Sequence, residues 1–131
     1  MKPSVLDTNV ILRYLLKDHA QFYEEAVTLL SPIKNGTAKA HILEGVLVEC
    51  VYVLSKVYAV SHPEIAAALT GLLNYPGVVN PDKERQKQSL ILFRDRNVDI
   101  VDALIHVTAM ENGWDIASFD RDLRKLRHLA E

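Results

Sequence analysis

The chain opens with a short apolar pair, Val5-Leu6, that stops at Asp7-Thr8-Asn9 and resumes as an apolar run from Val10 to Leu16. Small polar residues at such a break suit a helix N-cap, so the pattern predicts a strand ending at Leu6 and a helix starting at once. From His19 to Ile33 the apolar positions Phe22, Ala26, Val27, Leu29, Leu30 and Ile33 recur at helical spacing, and Asn35-Gly36 closes that helix. A second strand is expected over residues 38–43. Residues 44–58 stay apolar for longer than a typical strand, interrupted by Glu49 and Lys56, which predicts a mostly buried helix. His62-Pro63-Glu64 opens another helix with proline in the tolerated first turn, and Asn74-Tyr75-Pro76-Gly77 ends it. Val78-Val79 reads as a third strand, residues 82–93 as a surface helix, and residues 99–111 as a helix stopped by Asn112-Gly113. Trp114-Asp115-Ile116-Ala117 reads as a fourth strand and Asp120 as the start of a last helix. Strands alternating with helices in this way predict an α/β fold whose mainly parallel central sheet is covered on both faces. A length of 131 residues predicts a single domain over residues 1–131.

Composition narrows the class. With 49% hydrophobic and 24% charged residues the chain is neither disordered nor fibrous. No apolar run approaches the roughly 18 residues that span a bilayer, and the N-terminus lacks a signal-peptide core, so a cytoplasmic protein with no membrane contact is expected. Cys50 is the single cysteine, so no internal disulfide can form, and Val48, Val51 and Val53 around it favour a buried thiol. A net charge of −2 argues against nucleic-acid binding by the whole surface. Any such contact has to be local, and the basic stretches at 83–87 and 121–128 are as readily solvated helix faces.

The acidic residues carry the candidate chemistry. In open α/β sheets the ligand crevice lies beyond the carboxyl ends of the strands, which gives weight to Asp7 after the first strand and Asp120 after the fourth. Each also suits a plain N-cap. Glu49 interrupts a strongly apolar segment, where an unpaired buried carboxylate would cost several kcal/mol, so it has to meet water, a cation or a metal. Glu44, at the strand-to-helix junction, is the weaker competitor. Asp99 and Asp102 lie three apart, on adjacent turns of one helix, where a cap and a first-turn acid explain them as well as a site does. A cluster of such oxygen donors suits Mg²⁺ or Mn²⁺. Zinc is disfavoured by five histidines without paired spacing and one cysteine, and no phosphate-binding glycine loop or nucleophile-elbow motif is present. Metal-assisted phosphodiester cleavage is the chemistry left standing.

Four segments resemble the PIN-domain family: Val5-Leu6-Asp7-Thr8-Asn9-Val10-Ile11-Leu12, Val48-Glu49-Cys50-Val51-Tyr52-Val53-Leu54, Asp99-Ile100-Val101-Asp102-Ala103-Leu104-Ile105, and Ala117-Ser118-Phe119-Asp120-Arg121-Asp122-Leu123. They occur in the family's order across nearly the whole chain. The resemblance implies a three-layer α/β/α domain and a metal-holding catalytic set of Asp7, Glu49, Asp102 and Asp120, with Thr8, Asn9 or Ser118 as polar helpers and Asp99 and Asp122 as extra acids. It further implies a Mg²⁺-dependent endoribonuclease, with Mn²⁺ as a substitute, that leaves a 5′-phosphate and a 3′-hydroxyl. Many small members are VapC-like toxins held by a VapB-like antitoxin, so an RNA substrate, a homodimer and a cognate antitoxin are expected. The apolar residues Ile11, Leu12, Tyr14, Leu15, Leu16, Phe22 and Tyr23 are the expected antitoxin surface. Arg13, Arg121 and Arg124 are candidates to offset repulsion between the acids and RNA.

Rival readings fit less well. Aspartyl-phosphate phosphatases resemble the first strand but need a second acid where Asn9 stands, and a receiver domain needs a late-strand lysine that is missing. An RNA-processing PIN nuclease without antitoxin, or a PIN-like binding module without catalysis, are the nearer alternatives.

Overall fold

The computed structural model describes residues 2–121 together with Leu123 and Leu126. Asp122, Arg124 and the end of the basic stretch at 127–128 lie outside the described residues. The chain divides into two compact units, Met1–Lys83 and Glu84–Glu131.

The first unit runs β1 (Ser4–Val5), α1 (Thr8–Leu16), α2 (Ala20–Asn35), β2 (Ala40–His41), α3 (Glu44–Tyr52), a π-helical turn (Val53–Val57) and α4 (His62–Leu73). β1 pairs with β2 in parallel, Ser4 beside Ala40 and Val5 beside His41, and the Leu6 N–H continues the ladder to the His41 carbonyl at 3.0 Å. The expected third strand is reduced to one parallel bridge between Ala40 and Val78. Beyond that bridge a side chain takes over: Asn80 Oδ1 accepts from the Ile42 N–H at 2.8 Å, and Asn80 Nδ2 donates to the Ile42 carbonyl at 2.6 Å. A buried amide thus satisfies the backbone groups that a longer strand would have paired.

Gly77 explains why the backbone can come so close here. Its N–H donates to the Ile33 carbonyl near the end of α2, and its carbonyl accepts from Ala40 N–H in β2, both at 2.8 Å. A Cβ at this position would collide with the Ala38 and Ile33 carbonyl oxygens. The end of α2 is itself marked by Gly36 at φ 87°, the left-handed cap expected at Asn35-Gly36.

Leu30, Ile11, Leu47, Ile65 and Leu69 are almost completely buried in this unit, each worth roughly 1.5–3 kcal/mol of apolar transfer. The long apolar segment 44–58 does not remain one α-helix. It changes to π-type winding at Val53, an arrangement common at functional positions. The N-terminal helices spend most of their apolar residues internally: Ile11 and Leu12 are buried, Tyr14, Leu15, Leu16 and Tyr23 half-buried, and Phe22 exposed.

The second unit takes α5 (Lys83–Arg96) from its second residue onward and α6 (Ile100–Asn112). Its buried residues include Leu90, Phe93, Ile100, Ala103, Leu104, Leu123 and Leu126. No strand forms at 114–117. Trp114, Asp115 and Ala117 are exposed and only Ile116 is half-buried, so the apolar face that Trp114 and Ile116 would share in a strand is left largely uncovered. The architecture is α/β, mostly helical, with a small parallel sheet.

Candidate active site

Asp7 stands where the sequence pattern put it, immediately after β1 and at the N-cap of α1, with extended backbone at φ −83° and ψ 151°. Its carboxylate nevertheless makes no capping hydrogen bond. Aspartate is at this position a frequent acceptor for the N2 or N3 amide, so the plain capping role is not the one the side chain fills here. The comparison with Asp99 is direct, because Asp99 caps α6 by accepting from the Val101 N–H at 2.8 Å. The cap and the first-turn acid of that pair are thereby told apart: Asp99 is the cap, and Asp102 is the half-buried acid of the first turn.

Glu49 projects from an exposed position of α3 beside the fully buried Cys50. Burial pushes the Cys50 thiol up to about 12, and the charges of Glu49 and then Asp7 push in the same direction. Both carboxylates therefore lie within electrostatic reach of one thiol in the first unit. Neither carboxylate accepts a hydrogen bond or meets a cation among the described residues. Since β1 and β2 are parallel, Glu44 at the start of α3 leaves the same edge of the sheet as Asp7. Its Oε1 is buried with no hydrogen-bond partner among the described residues. The sequence had ranked Glu44 below Glu49; the structure leaves Glu49 toward solvent and gives Glu44 the orphaned oxygen.

Of the polar helpers, Thr8 is buried and Asn9 is exposed. In the second unit Asp120 is exposed; its Oδ1 accepts from the Leu123 N–H at 3.4 Å, and its own N–H donates to Ser118 Oγ at 2.9 Å. Asp120 thus plays the N-cap role at the start of the last helical segment. Among the described residues no three His, Cys, Asp or Glu side chains are grouped closely enough to hold a metal ion between them.

The donor chemistry of the first unit still fits a hard divalent cation. Asp7 and Glu49 supply carboxylate oxygens without nitrogen or free thiolate, Cys50 being held protonated, and Mg²⁺ characteristically takes one or two carboxylates and keeps several waters.

A network the sequence did not announce lies along α1. Arg13 Nη1 donates to both oxygens of Asp18 at 2.9 Å, Arg13 Nη2 donates to Tyr58 Oη at 3.2 Å, and Tyr58 donates to Asp18 at 3.3 Å. The partners lie 5, 40 and 45 apart in the chain, so no local motif could have shown the whole network. Arg13, a candidate to offset repulsion between the acids and RNA, is paired with Asp18.

A family model described as the PIN domain matches residues 4–129. The chain belongs to the PIN-domain family. One family model thus runs across both compact units. PIN domains are generally nucleases, they generally use divalent metal ions, and they act on RNA or other nucleic acid. No curated protein matches the chain. No helix among the described residues of this PIN chain is long and apolar enough to cross a membrane.

Proposed function

We propose that the chain is a Mg²⁺-dependent endoribonuclease acting as the VapC-like toxin of a type II toxin-antitoxin pair. The observation that carries the nuclease reading is Asp7, which takes the capping position of α1 without capping and shares the surroundings of Cys50 with Glu49. Two carboxylates near one another repel, and a bound cation would offset that repulsion.

Asp7 and Glu49 are the carboxylates of the first unit assigned to hold the ion, with Mn²⁺ able to replace Mg²⁺. The bound ion would supply an activated water and charge stabilisation for phosphodiester hydrolysis. The chain's own residues do the placing: β1 fixes Asp7 at the sheet edge, and α3 carries Glu49 beside it. The Asn80 clip holds Ile42, from which the chain turns into Glu44, at that same edge. A single domain spanning both units, a homodimer, a VapB-like antitoxin as partner and a cytoplasmic setting belong to this reading. Support comes from the family match over residues 4–129.

The test is cleavage of end-labelled single-stranded RNA by the purified chain with Mg²⁺, Mn²⁺ or EDTA. Cleavage with either ion, loss with EDTA, loss in Asp7→Asn and Glu49→Gln with unchanged circular dichroism, and 5′-phosphorylated products are expected. Undiminished cutting after EDTA treatment would overturn the metal mechanism. The toxin role is tested by the mass of the complex formed on co-expression with a small reading frame lying next to the gene. Retention of full activity in that mixture counts against it.

A further inference from the structure

One face of α1 and one face of α2 enclose a cavity of about 450 Å³, within the size range of small-ligand pockets. It begins at Asn9, two residues beyond Asp7, and extends past Arg13 to His19, Phe22, Glu25 and Leu29 on α2. Its lining is not simply apolar. Phe22 is 49% exposed, and its ring lies 4.4 Å from that of His19 at an interplanar angle of 30°, a ready-made aromatic shelf. The His19 Nδ1 accepts from the Phe22 N–H at 3.3 Å, which fixes the ring and makes Nε2 the protonated nitrogen of the neutral imidazole.

Arg13 and Glu25 line the same cavity yet do not pair. Arg13 is turned to Asp18 and Tyr58, and Glu25 has no hydrogen-bond or ion-pair partner among the described residues. The cavity therefore presents a flat π-surface and an unengaged carboxylate acceptor, and it adjoins the turn that carries Asp7. An unpaired nucleobase is the occupant whose chemistry uses both: its face stacks and its edge hydrogen-bonds. Guanine is the base whose Watson–Crick edge offers two adjacent donors, N1–H and the N2 amine, to one carboxylate.

We propose that the α1–α2 cavity is a base-recognition subsite that seats a guanine of single-stranded RNA, stacked on Phe22 and His19 and read by Glu25. This inference rests on the nuclease reading for its substrate class, and it adds a sequence preference that the acids alone cannot supply.

Binding is measured first in EDTA, by fluorescence anisotropy with labelled uridine octamers carrying one guanine, one adenine or neither. Cleavage of the same oligonucleotides in Mg²⁺ follows. Tighter binding of the guanine oligomer is expected, with Phe22→Ala weakening it roughly tenfold, the loss typical of one stacked base. Glu25→Gln is expected to bring the guanine-to-adenine ratio close to one, and Phe22→Tyr to restore affinity. Far-UV circular dichroism establishes that each variant is folded. Guanine-dependent binding without Mg²⁺-dependent cutting would sink the nuclease reading and leave the subsite standing. Cutting with no base preference, or with a preference untouched by both variants, would overturn the subsite and leave the nuclease. Displacement of the octamer by an antitoxin-type apolar peptide whose binding needs Phe22 but ignores Glu25, with no guanine preference in the RNA, would assign the cavity to a protein partner and overturn the proposal.

Discussion

Asn80→Leu removes both side-chain hydrogen bonds to Ile42 while keeping the branching at Cγ. Asn80 is 7% exposed, so water has little access to the Ile42 N–H and carbonyl that lose these two bonds. A buried intramolecular hydrogen bond contributes about 0.5–1.5 kcal/mol net, so losing two lowers stability by roughly 1–3 kcal/mol. For a chain of 131 residues each kcal/mol moves Tm by roughly 4 °C, which places the expected drop near 4–12 °C. Asn80→Asp separates the two bonds. Its carboxylate can still accept from Ile42 N–H but cannot donate to the Ile42 carbonyl, and it brings a buried charge. Burial raises the folded-state pKa of that new acid, so its contribution is recovered below the ordinary aspartate value near 3.9 and lost as pH rises. Melting followed by circular dichroism at several pH values checks both variants. An Asn80→Leu protein that melts within about 2 °C of the parent would refute the view that this side chain stands in for the missing strand. Because Asn80 holds the sheet edge next to Asp7, the same variant is expected to lose nuclease activity at temperatures where the parent is still active.

Metal linkage gives the second test: Mg²⁺ at 100 times its dissociation constant adds about 2.7 kcal/mol, so Tm should climb with concentration in the parent and stay flat in Asp7→Asn. A parallel climb in both would dissociate Asp7 from the ion. His106 is 9% exposed with its Nδ1 unpartnered among the described residues, and burial lowers its pKa. The neutral ring is therefore favoured in the fold, so its stabilising contribution is present above the ordinary value near 6.5 and lost as pH falls. Tm measured between pH 7.5 and 5 should fall less steeply in His106→Gln than in the parent, and equal slopes would exclude His106 as the cause. Gly77→Ala should destabilise by roughly 3 kcal/mol or more in urea titrations, because its Cβ meets two backbone oxygens that cannot step aside. A change below 1 kcal/mol would show that this corner is softer than it looks.

The periodic pattern of the sequence determined the helices well, because a helix is local: apolar spacing, the Asn35-Gly36 stop and the Ser61 cap before Pro63 each act within a turn or two. Residue type and position after a strand made Asp7 a candidate, and its interruption of an apolar run made Glu49 one. What the sequence could not decide was how much sheet would form. A strand needs a partner, and the expected third strand shrank to one bridge because Asn80, distant in the chain, satisfied Ile42 by its side chain instead. The expected fourth strand did not form, and the apolar face that 114–117 would have had is left largely uncovered. The same reason separates cap from site acid. Asp7, Asp99 and Asp120 look alike as residues opening helices, and only the tertiary arrangement shows that Asp99 and Asp120 spend an oxygen on their helix while Asp7 makes no capping hydrogen bond. Hydrogen bonding at a helix start depends on the exact approach of a side chain to an amide, and that approach is set by packing around the sheet edge rather than by the identity of the residue.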